Sequence, residues 1–225
     1  MIEVYLKHRP NNSGYTDYWK DIFSDTNRYV VYELTEENRP NCVHAHPILK
    51  TRFGGVFASH VTSFLATKTE YHWAIDSEDI KFEDKITKDQ IRELFIKIEN
   101  DTIANEYDGF SYDMYLSILG GEEKIGPKPG VKFKDMIKHW TFGMAFLKKQ
   151  PEIVKLIFER LYENDYNMDW KMSELRETGV LKLKTFIVKN ATVHHTWGDI
   201  KVAENDLDHN GVVFPIQEEV IKYSF

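Results

Sequence analysis

The stretch that most limits how this chain can fold is residues 71–82, Tyr-His-Trp-Ala-Ile-Asp-Ser-Glu-Asp-Ile-Lys-Phe. Its opening run, residues 71–75, has the length and apolar character of one buried strand. The run stops at three carboxylates, Asp76, Glu78 and Asp79. Like charges this close repel one another, and the end of an apolar strand does not call for them. Hard divalent cations such as Mg²⁺ or Mn²⁺ remove that repulsion by taking carboxylate oxygens as ligands. Open α/β sheets bind ligands just beyond the carboxyl ends of their strands. The stretch is therefore read as a strand that delivers a metal-and-phosphate site. A strand running into a solvated acidic turn is the plainer alternative.

What precedes this strand has the order of an α/β fold. Residues 2–6, Ile-Glu-Val-Tyr-Leu, form a first expected strand, and Asn11-Asn12-Ser13-Gly14 a turn cluster. Tyr15, Tyr18, Trp19, Ile22 and Phe23 recur at helical spacing, and residues 29–34 form a second strand. Strand, helix and strand in this order make a βαβ unit, which implies parallel pairing and a right-handed crossover. A helix over residues 48–67 follows from Leu49, Phe53, Val56, Phe57, Val61, Phe64 and Leu65, although Gly54-Gly55 weakens it. One central sheet should thus contain residues 2–6, 29–34 and 71–75, the first two parallel.

Regularity falls after Asp79. Residues 87–100 read as an amphipathic helix, 110–119 as a strand, 122–134 as a loop rich in Gly, Pro and Lys, and 139–147 as an apolar segment. Pro151 opens a further helix, and residues 164–170 are polar, with Asp165 and Asp169. Residues 180–188 form a late strand, followed by His194 and His195.

Composition narrows the function classes. The 225 residues suit one domain, 42% are hydrophobic and 14% aromatic, and the chain is accordingly a folded one. Lysine and arginine number 29 against 36 acids, a net charge of −7, which argues against a nucleic-acid surface. A single cysteine, Cys42, fits a reducing compartment. No signal peptide and no membrane-length apolar run is visible, so a cytoplasmic protein is expected.

Taken together, a βαβ unit, a helix, a strand ending in Asp76-Ser77-Glu78-Asp79 and a late histidine pair resemble a GT-A-type glycosyltransferase. In that family a hydrophobic strand ends in a D-x-D element, and here glutamate stands at the third position, one methylene longer. The resemblance implies a single Rossmann-like GT-A domain with a mixed central sheet. Residues 1–80 would bind the nucleotide-sugar and residues 81–225 the acceptor. It also implies transfer of a hexose from a nucleotide-diphospho-sugar, most plausibly UDP-linked, in bacterial surface polysaccharide synthesis. The acceptor would be a glycan or a lipid-linked glycan, the latter compatible with peripheral membrane association.

On the same resemblance, Asp76 and Glu78 would hold Mn²⁺ or Mg²⁺ on the pyrophosphate, and Asp79 the sugar or a water. His194 or His195 would complete the metal shell as a neutral imidazole, but only one of them, because adjacent strand residues face opposite ways. Arg52 would reach a phosphate; otherwise it is a solvated helix-end cation. Asp169, or else Asp165, would take the acceptor proton. Two other classes stay open. One is a metal-dependent hydrolase using His44 and His46, and the other a sugar-binding module without turnover.

Overall fold

The computed structural model describes residues 1–8, 13–35, 42–43, 55–112, 140, 143–153, 155, 168–189, 191–195, 200–201 and 220–225. The chain opens with β1 (Ile2–Lys7), α1 (Thr16–Ile22) and β2 (Tyr29–Leu34). Next come β3 (Cys42–Val43), α2 (Gly55–Ala66), β4 (Tyr71–Asp76), β5 (Ile80–Phe82) and α3 (Lys88–Ala104). The rest comprises β6 (Gly109–Tyr112), β7 (Met144–Lys148), α4 (Met168–Glu177), β8 (Leu183–Lys189), β9 (Thr192–His195), β10 (Ile200–Lys201) and β11 (Val220–Ser224).

Eight strands form the main sheet in the order β11-β8-β6-β7-β4-β1-β2-β3. β7 alone among them runs antiparallel to its neighbours, so the sheet is mixed. As expected, β1 and β2 are parallel, and β4 flanks β1 on its other side, also parallel. A three-stranded sheet, β10-β9-β5, stands apart and is antiparallel.

Alternation along the strands explains the layers. Val4, Leu6, Trp73 and Ile75 pack with Trp19 and Ile22 of α1 and with Ile91, Leu94, Phe95 and Ile98 of α3. Ala74, Ala145, Leu147 and Leu183, from the opposite face, pack with Val61 and Phe64 of α2 and Met172 of α4. α1 carries the chain outward from β1 to β2, whereas α2 carries it back from β3 to β4. A right-handed crossover in each direction puts the two helices on opposite faces of the sheet. The result is doubly wound, and the strand order reverses direction between β1 and β4.

Local chemistry fixes the ends of α3. Thr87 accepts from the Gln90 N–H at 3.2 Å while the Gln90 side chain accepts from the Thr87 N–H at 2.9 Å, a reciprocal cap. In its middle, the fully buried Glu99 accepts from Tyr29 Oη and from Trp73 Nε1, both at 2.8 Å, and pairs with Arg28. That carboxylate ties α3 to β2 and β4. Among the described residues no helix is long and apolar enough to cross a membrane.

Candidate functional site at the carboxyl ends of β1 and β4

The acidic turn lies where the strand order reverses. β1 ends at Lys7 and β4 at Asp76, opposite each other in register, and the Lys7 ammonium forms an ion pair with Asp76 Oδ1. Their side chains keep 10% and 19% of their surface exposed, and Asp76 Oδ1 itself is buried. Burial raises the Asp76 carboxyl above its ordinary range, Lys7 lowers it, and the charges of Asp79 and Glu78 add to the rise; the net shift is upward. The mutual repulsion expected from the sequence is thus present, and Lys7 offsets part of it.

Backbone and hydroxyl contacts hold the turn from several sides. Asp76 N–H donates to Gly143 O at 2.8 Å, and Asp79 N–H to Asp76 O at 3.0 Å. Ser77 is fully buried; its Oγ donates to Lys7 O at 2.9 Å and lies 2.8 Å from Thr16 Oγ1. Tyr15 N–H donates to Ser77 O at 2.8 Å. Gly14 closes the arrangement: it has φ +48°, and a Cβ there would collide with the Glu78 backbone. Glu78 is 8% exposed, and Asp79 is half-buried.

Beside this turn, His8 Nε2 is 2.8 Å from Glu33 Oε2, and Lys20 reaches Glu33 Oε1 at 2.5 Å. β1, β2 and α1 therefore bring both signs of charge together near the carboxyl ends of β1 and β2. Such a site can accept hydrogen bonds from sugar or ribose hydroxyls at its carboxylates, and can hold a phosphate through its ammonium.

No known family model matches the chain, and no curated protein matches it.

β9, which carries the histidine pair, runs beside the strand that leaves the acidic turn. β5 leaves directly from the acidic turn and pairs with β9, which sets Ile80 opposite His195 and Lys81 opposite His194. His194 is half-buried and lies near enough to Asp84 to help lower that carboxyl, after the larger effect of Lys81, which donates to Asp84 at 2.8 Å. Of His195 only the backbone is described. Asp169 is the second residue of α4, a helix where a polar segment was expected. Arg52, Asp165, His44 and His46 lie outside the described residues.

A divalent-ion site does not fit the described side chains as they stand. Among the described residues no three His, Cys, Asp or Glu groups converge as a metal would need. Of the Asp76 carboxylate, Oδ1 is engaged by the Lys7 ammonium.

Lys7, Gly14 and Ser77 belong to the site and were not singled out from the sequence. A lysine directly after Ile-Glu-Val-Tyr-Leu was the available signal for the first. Gly14 reads as an ordinary turn residue until Glu78 is found against it.

Proposed function

We propose that this protein is a glycosyltransferase, moving a sugar from a nucleoside-diphospho-sugar, UDP-linked by preference, to a glycan or lipid-linked acceptor. The observation that carries this reading is the position of the acidic turn. Asp76, Glu78 and Asp79 follow β4 at the point where the order β3-β2-β1-β4 reverses, which is where a doubly wound sheet binds its nucleotide. The mixed sheet, with β7 antiparallel beside β4, is also what the GT-A resemblance leads one to expect.

In this reading the β1–β4 crevice receives the nucleoside diphosphate. Lys7 faces the phosphates, and the carboxylates of Glu78 and Asp79 orient hydroxyls of the donor. Holding a donor in one pose contributes to rate by removing the entropy of encounter. The acidic turn is suited to that because it is clamped by β1, α1 and β7. Asp169 is assigned to the acceptor proton.

A thermal-shift screen against a panel of nucleotide-sugars, with and without Mn²⁺, tests the proposal. Stabilisation by one class of nucleotide-sugar, lost in Glu78→Ala, is the expected result. Failure of every nucleotide-sugar to bind in either condition would remove the transferase reading.

A further inference from the structure

The charge of the acidic turn is answered from within the chain. Lysine is seldom buried, and when it is, its ammonium needs a partner. The Lys7 side chain is 10% exposed and its ammonium lies on Asp76 Oδ1. The arrangement is not a chance contact of two long side chains, because the backbone beneath it is locked. Lys7 and Asp76 are register partners in adjacent strands, the Lys7 carbonyl accepts from Ser77, and the Asp76 N–H donates to Gly143. A second cation on the same carboxylate would be repelled by the ammonium already beside it. Among the described residues, moreover, no ligand set is assembled for a second one.

We propose that Lys7 is the resident cation of this site. It occupies the Asp76 carboxylate in place of a divalent metal and presents a point charge to the diphosphate, so nucleotide binding here needs no metal. The identity of the ligand rests on the transferase reading; the role of Lys7 toward Asp76 does not.

Two measurements keep these apart. Mn²⁺ binding to the full chain, followed by loss of the free-ion EPR signal, concerns Lys7 alone. Wild type and Lys7→Arg should bind Mn²⁺ weakly. Lys7→Met should bind about tenfold more tightly or better, because it removes a positive charge beside the ion, and adding Asp76→Asn should abolish the gain. Lys7→Gln replaces Lys7→Met if the latter does not fold. Wild type that takes up Mn²⁺ as tightly as Lys7→Met, and loses it in Asp76→Asn, overturns the proposal. In the second measurement, calorimetry with UDP in the presence of EDTA should show binding that Lys7→Met weakens. UDP binding only when Mn²⁺ is supplied overturns the role of Lys7 and leaves the transferase standing. With no UDP binding in either condition the transferase reading fails, and the Mn²⁺ comparison still decides Lys7.

Discussion

His72 lies edge-on to Tyr5 and Phe64, with ring centroids 5.7 and 5.0 Å away, and is fully buried. Neither ring nitrogen finds a hydrogen-bond partner among the described residues. Burial drives its pKa down from 6.5 to about 3; Glu3 opposes the shift and Lys149 adds to it. The folded chain therefore keeps this ring neutral, while the unfolded chain protonates it below 6.5. The stability linked to His72 is complete above that value and declines as pH falls, by about 1.4 kcal/mol per unit, until the folded pKa is reached. Replacing it with Phe, which suits the aromatic contacts, should flatten urea-denaturation stability between about pH 7 and about pH 5. Equal slopes in His72→Phe and wild type would show that the ring is not the titrating group. At Gly14 the expectation is more local. Gly14→Ala meets both a left-handed backbone and the Glu78 main chain, so it should cost more than about 1 kcal/mol and, on the proposed function, weaken nucleotide binding by shifting the turn. An alanine variant as stable as wild type would mean that the loop and the acidic turn do not touch in solution.

Among the elements, α3 depends on one buried carboxylate. Removing Glu99 leaves the Arg28 guanidinium, Tyr29 Oη and Trp73 Nε1 without their shared acceptor. Loss of one partner from a buried pair costs about 3–5 kcal/mol, and Glu99→Ala should fall toward the lower end because the Arg28 side chain is 31% exposed and can turn to water. Urea denaturation of the variant measures this; a loss below about 1 kcal/mol would place the pair among ordinary surface ion pairs. How legible each element was follows from the same physics. β1 and β4 are buried almost throughout and β2 at its two ends, yet all three read directly from their apolar runs, and Thr87 announces α3 through its cap. In α4 the polar Ser173 and Arg176 are buried beside Met172, which blurs the apolar spacing by which a helix is read from sequence. β5 and β10 are three and two residues long and exist through β9, which is far from β5 in sequence and close to β10. Lys7 was missed for a related reason: a charged residue after an apolar strand reads as a strand end until Asp76, its partner across the sheet, is known.

Across the whole molecule, the donor and acceptor roles proposed above would fall to different parts of the chain, which would make their contributions separable. Glu78 sits in the turn after β4, beside the β1 end, where the leaving diphosphate would lie. Asp169 lies in the first turn of α4, whose Met172 packs on the face of the sheet that α2 covers. A group that touches the donor affects ground state and transition state together, whereas a base for the acceptor hydroxyl acts mainly in the transition state. Glu78→Ala should therefore abolish transfer and also weaken donor binding. Asp169→Asn should lower turnover by about 10²–10⁴-fold with donor affinity nearly unchanged. Calorimetric donor binding read alongside single-turnover transfer distinguishes the two. If Asp169 and Asp165 can both be neutralised with transfer intact, another group takes the proton or the anomeric configuration is retained. If Glu78→Ala binds donor as wild type does, the acidic turn lies outside the donor site, and the assignment of the β1–β4 crevice to the diphosphate fails with it.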